Sequence, residues 1–175
     1  MTTYIALLRA VNVGGTGKLP MADLKAMCLA LGFTQVQTYI ASGNVVFQSA
    51  LSVAKVQAAL EAKLHTYAGK PVGVHIRTTA QIQAVRDGNP FPKAAPNRVM
   101  AIFLDTPADK VMLAGVSGQK DEHIALGLNE LYVHYGEGMA QSKLKIPAAK
   151  TGTARNMNTV YKLVEMAGNT KFAIN

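Results

Sequence analysis

The feature that most constrains this chain is the order in which its apolar patterns change period along residues 3–77. Thr3–Asn12 (TYIALLRAVN) is apolar at both alternating sets of positions until Arg9 and Asn12, the pattern of a central strand covered on both faces. Met21, Leu24, Met27, Cys28 and Leu31 then follow at helical spacing, with Pro20 as a first helical residue, Asp23 in the first turn and Gly32 as the stop. Thr34–Ala41 and Val45–Gln48 alternate as strands around Ser42-Gly43-Asn44, a turn signal. Val53, Val56, Leu60 and Leu64 mark a second helix, and Val72, Val74 and Ile76 a fourth strand. The order β-α-β-β-α-β is that of a ferredoxin-like half.

Residues 79–175 read as a second, less regular copy. A helix over Thr79–Arg86 leads into a proline-rich connection at Asn89–Pro96, and Arg98–Leu104 is again apolar on both faces. Thr106-Pro107-Ala108-Asp109 resembles a capped helix start. His123–Leu128 and Leu131–Tyr135 form a hairpin around Asn129-Glu130, and a last helix runs from about Arg155 to Met166. The expected class is α+β: two tandem ferredoxin-like halves, 1–78 and 79–175, with mainly antiparallel sheets. Packing of the halves through sheets or edges would explain two central strands that are apolar on both faces.

The opening Met1-Thr2-Thr3-Tyr4 runs directly into the first strand, with no basic leader, so no signal peptide is expected. No apolar run approaches the ~18 residues of a membrane span. One cysteine, Cys28, excludes an internal disulfide framework and suits a reducing cytoplasm. Cys28 falls on the apolar stripe of the first helix and reads as core. A monomer or weak homodimer is expected.

Charge distribution is more informative than total charge. The chain carries a formal +8, and +5 of this lies in residues 141–175, where six cations face the single acid Glu165. Such an excess favours an anionic small molecule or a nucleic acid as partner.

The glycine-rich stretch Arg9–Met21 raises the question of a phosphate loop. Gly17-Lys18 matches the end of a Walker A loop, but Asn12 stands at the first glycine and Leu19 at the magnesium-binding Ser/Thr. Gly14-Gly15-Thr16-Gly17 also lacks dinucleotide-loop spacing. Ser142-Lys143-Leu144-Lys145, Ser42-Gly43-Asn44 and Lys150-Thr151-Gly152 imitate the serine-acylase motifs, but in the wrong order and too closely spaced. His65, His75, His123 and His134 show no zinc spacing, so no metal and no cofactor is expected, and His75 and His134 read as sheet-face residues. No aromatic RNA-binding signature occupies the central strands.

Topology says more than these motifs. In a β-α-β-β-α-β sheet the start of strand three lies beside the end of strand one. Arg9, Asn12, Gly14, Gly15, Lys18, Ser42, Gly43 and Asn44 are therefore expected to converge near a helix start, a setting that suits an oxyanion.

Leu7–Phe47 (LLRAVNVGGTGKLPMADLKAMCLALGFTQVQTYIASGNVVF) closely resembles an uncharacterised, mostly bacterial family, domain of unknown function 1697. Its second hallmark is present as Ser142-Lys143-Leu144 and Thr153-Ala154-Arg155-Asn156-Met157-Asn158-Thr159-Val160, with Met157 where an aromatic is usual. The resemblance implies tandem ferredoxin-like halves and supplies no reaction. Ser142, Lys143, Thr153, Arg155, Asn156 and Asn158 complete the candidate ligand-binding set. These residues are expected to face Arg9–Asn44 across a cleft and form one composite basic site for a phosphorylated or nucleotide-like ligand, or a nucleic-acid backbone. Two other readings stand beside it. One is an enzyme acting on a phosphorylated small molecule without metal, which would have to rest on Lys18, Lys143 or electrostatic clamping because the signatures hold no His or Glu. The other makes this polarity purely structural, at an interface between the halves.

Overall fold

A computed structural model describes residues 1–15 and 17–169. The elements run β1 (Thr2–Leu8), α1 (Met21–Ala30), β2 (Thr34–Tyr39), β3 (Asn44–Ser49), α2 (Val53–Ala68), β4 (Val74–Thr78), α3 (Thr79–Asp87), β5 (Val99–Phe103), β6 (His123–Leu126), β7 (Glu130–His134), β8 (Thr153–Asn156) and α4 (Met157–Asn169). The fold is α+β with two four-stranded antiparallel sheets, ordered β2-β3-β1-β4 and β6-β7-β5-β8. By compactness, one unit comprises residues 1–82 with 163–169, and the other residues 83–162.

In the first unit the apolar stripes meet as their spacing requires. Leu24 and Cys28 of α1 and Val56, Leu60 and Leu64 of α2 share a core with Tyr4, Ala6 and Leu8 of β1 and Phe47 of β3. Each such aliphatic side chain, fully buried, contributes about 1.5–3 kcal/mol. Phe33 stacks on Phe47 at 4.4 Å. The Tyr4 hydroxyl, carried into this core, donates to the Leu51 carbonyl at 2.7 Å. Burial pushes the Cys28 thiol up to about 12, so it stays protonated and inert as a nucleophile. Ile5 and Leu7, on the other face of β1, are equally buried, as the two-sided apolar pattern implied.

Several boundaries differ from the sequence reading. β1 ends at Leu8 because Ala10 and Asn12 adopt left-handed backbone, φ +54° and +56°, which breaks the extended run. Pro20 is the N-cap of α1 rather than its first helical residue. Thr106–Asp109 starts no α-helix. Asp109 caps only a 3-10 turn, Lys110–Leu113, where its side chain accepts from Met112 N at 3.3 Å. In the hairpin, Glu130 belongs to β7, and its buried carboxylate accepts from Leu128 N and Asn129 N at 3.0 and 3.1 Å. Arg155 does not begin the last helix. It lies in β8, an unanticipated strand paired antiparallel with β5.

The second unit buries Ile102, Leu104, Leu131 and Val133 on one face of its sheet. Tyr132 points from β7 in the opposite alternation and donates its hydroxyl to the Val85 carbonyl at 2.7 Å. Among the described residues, no helix is long and apolar enough to cross a membrane.

Candidate functional site

Antiparallel pairing of β1 with β3 and β4 brings three chain segments to one sheet end. Leu7 pairs with Asn44, and Leu8 N donates to the Gly43 carbonyl at 2.9 Å. On the other side, Leu8 pairs with Val74, and Arg9 N donates to the Gly73 carbonyl at 2.9 Å. The two sides differ in chemistry.

On the β3 side the polar groups are used within the fold. Asn12 stitches its loop together: Nδ2 donates to the carbonyls of Leu19 and Ala41, and Oδ1 accepts from Leu19 N. Asn44 is wholly buried and donates to the Tyr39 carbonyl and to Ser42 Oγ, both at 2.9 Å. Gly43 has φ +88° and sits so close to Leu8 and Val11 that a β-carbon there would lie 2.7 Å from Val11 Cγ2. Gly14 and Gly15 are exposed with open space around them.

On the β4 side there is a cavity of about 410 Å³, within the ~300–1,000 Å³ of small-molecule sites. The end of β1 contributes Arg9, the glycine loop Lys18, the last turns of α2 Leu64 and Tyr67, and the segment before β4 Lys70 and Val72. Arg9, Lys18 and Lys70 are exposed, whereas Leu64 is buried. No Asp, Glu or His is among the described residues lining the cavity. The C-terminus of α2 carries about half a negative charge, outweighed by three formal cations. Asp23, in the first turn of α1, accepts the Tyr67 hydroxyl at 2.8 Å, and this bond pushes the phenol up. Ala10, at its left-handed φ, also lines the cavity.

Arg9 and Lys18 of the expected set thus meet across one cavity, whereas Asn12, Gly14, Gly15, Ser42, Gly43 and Asn44 do not line it. Sequence reasoning missed Tyr67 and Lys70. The signal was present, because the topology that sets strand three beside the end of strand one does the same for the start of strand four.

The C-terminal candidates lie in the second unit, where Ser142 and Arg155 each have local partners. Ser142 donates to Glu122 Oε1 at 2.5 Å, and Lys120 N donates to Oε2 at 2.6 Å. Ser142 Oγ also accepts from Leu144 N at 3.2 Å, and Lys145 bridges Ser117 through two backbone hydrogen bonds. Glu122 is buried, and the Ser142 bond first, then the backbone N–H bonds, hold its carboxyl below the usual range. Gly118 permits the docking, since a β-carbon there would fall 2.0 Å from the Lys143 carbonyl oxygen. Lys143 is exposed and lines a second cavity of about 670 Å³.

A depressed carboxylate pKa gives stability that is present above the unfolded value and lost as pH falls through the folded one. Ser142→Ala is therefore expected to lower the melting temperature more at pH 7 than at a pH acid enough to protonate Glu122 in the folded protein. A pH-independent deficit in thermal melts would contradict this role.

Arg155 is only 5 % exposed, and its Nη1 donates to Thr153 Oγ1 at 2.7 Å and to the Ala154 carbonyl at 2.9 Å. Burial pushes its guanidinium down to about 10, still cationic at neutral pH. Asn156 caps α4, its Oδ1 accepting from Thr159 N at 3.0 Å, and Asn158 is exposed. Met157 is fully buried. The sequence also gave no sign that His123 and His134 would face each other across β6 and β7, with ring centroids 6.3 Å apart and Phe91 5.4 Å from His134. Among the described residues, no group of three His, Cys, Asp or Glu could hold a metal ion.

The family model "Protein of unknown function (DUF1697)" matches residues 1–132, which include β1, the glycine loop, α2 and the segment before β4. The chain belongs to this family. The cavity of this DUF1697 member lies wholly within the matched residues, and the Ser142–Val160 motif lies beyond them. Among solved structures, the conserved bacterial protein SP0830 from Streptococcus pneumoniae is similar at a TM-score of 0.77 and 24% identity, over 95% of this chain and 98% of that one. That likeness supports the fold. Comparison with curated proteins finds no match.

Proposed function

We propose that this DUF1697 protein binds a small phosphorylated ligand in the cavity beside the end of β1. One observation carries the reading: Arg9, Lys18 and Lys70 surround a concave space of about 410 Å³ with no carboxylate among its described lining residues. In the same reading each unit is a ferredoxin-like half. The strand order β2-β3-β1-β4 supports this for the first, and the repeated order β6-β7-β5-β8, with 3-10 turns in the connections, supports it for the second.

A small ligand is favoured over a nucleic-acid backbone because the cations line a concavity and Tyr67 is the one aromatic ring among the described lining residues. Single-strand binding calls for a groove with successive stacking rings. An enzyme is disfavoured because no described lining residue supplies a general base near neutrality, and Tyr67 is shifted further from that role.

Inorganic phosphate is expected to bind with a Kd of about 1 mM at low salt, and Arg9→Ala, Lys18→Ala or Lys70→Ala should each weaken it about three- to tenfold. Isothermal titration checks this. Phosphate binding unchanged in all three variants, or a preference for single-stranded oligonucleotides with a steep salt slope, would sink the proposal.

A further inference from the structure

We infer that the ligand is a phosphomonoester of a flat apolar group, rather than a bare anion or a polyphosphate; this rests on the anion-binding reading of the same cavity. The cavity is two-sided in chemistry. Arg9, Lys18 and Lys70 supply charge, whereas Tyr67, Pro71 and Val72 supply apolar surface. A phosphate ion would engage the cations and leave most of the 410 Å³ to water, with the side formed by Tyr67, Pro71 and Val72 unused. Tyr67 is 46 % exposed, yet its hydroxyl is held by Asp23 at 2.8 Å, so a partly exposed ring is fixed in place before any ligand arrives. A ring fixed in advance can cover a planar group at little further entropic cost. Three cations also suit a dianion. The second phosphate pKa lies near ~6, so affinity should rise with pH through that value.

The test is calorimetric titration at fixed ionic strength with inorganic phosphate, pyrophosphate, ribose 5-phosphate, phenyl phosphate and adenosine monophosphate. Phenyl phosphate should bind about tenfold tighter than phosphate, as expected for covering one ring. Adenosine monophosphate tighter than phenyl phosphate would identify a nucleotide source, and the reverse order a simpler aromatic ester; either order fits the inference. Tyr67→Ser should abolish the phenyl advantage, read as the ratio of phenyl phosphate to phosphate affinity within the same variant. Tyr67→Phe, which keeps the ring but loses the Asp23 bond that fixes it, should retain part of it, between Tyr67→Ser and the wild type. Pyrophosphate or ribose 5-phosphate matching phenyl phosphate, or an advantage that survives Tyr67→Ser, overturns the inference and leaves the anion site standing. Phosphate binding insensitive to Arg9, Lys18 and Lys70 would remove both.

Discussion

Gly43→Ala is expected to destabilise the protein by about 2–4 kcal/mol, although Gly43 does not itself line the cavity. Roughly 1 kcal/mol comes from forcing an alanine into left-handed backbone at φ +88°. The rest is overpacking, about 1–3 kcal/mol, because the new β-carbon would lie 2.7 Å from Val11 Cγ2 and 2.9 Å from Leu8 Cβ in the core. Gly15→Ala is the control. Its φ of +75° carries the same backbone cost, but nothing lies within 4 Å of its β-carbon, so about 1 kcal/mol should suffice. Urea unfolding separates the two: Gly43→Ala should shift the midpoint far more, at unchanged slope. Equal shifts would mean that the packing against Leu8 and Val11 is not as described.

The second large effect is expected at Arg155. A guanidinium 5 % exposed and bonded to Thr153 Oγ1 and the Ala154 carbonyl leaves both a cavity and unsatisfied acceptors when truncated. Arg155→Ala should therefore cost about 2–4 kcal/mol. Arg9→Ala removes an exposed side chain and should stay within about 0.5 kcal/mol. The sequence reading placed the two arginines alike in one ligand-binding set. Burial now separates them. Thermal melts of both variants that coincide with the wild type would contradict the structural role of Arg155.

How much was legible follows from how local each signal is. The β-α-β-β-α-β order of residues 2–78 could be read because Leu24, Cys28, Val56, Leu60 and Leu64 keep strict helical spacing and Ser42-Gly43-Asn44 punctuates two strands. β8 was missed because Thr153–Asn156 is four residues long, buries polar Thr153 and Arg155 rather than apolar side chains, and is defined only by pairing with β5. The 3-10 turn at Lys110–Leu113 was misread as a helix because a capping residue marks where a turn begins, not how long it lasts. Asn12 and Asn44 looked like ligand donors because sequence shows a polar side chain but not the carbonyl waiting 2.8–2.9 Å away. Lys70 and Tyr67 carried no motif, and only the register of β4 against β1 brings them beside Arg9.

The central claim is that the cavity between the end of β1, the end of α2 and the start of β4 holds an anion by Arg9, Lys18 and Lys70. The most direct measurement is a crystal structure of the protein soaked in phosphate at a few times its measured Kd, paired with an identically soaked Lys18→Ala/Lys70→Ala crystal. The account predicts a phosphate within hydrogen-bonding distance of Lys18 and Lys70 in the wild type, and none there in the variant. A wild-type cavity without phosphate at that concentration, or a phosphate that stays in place in the variant, would contradict it.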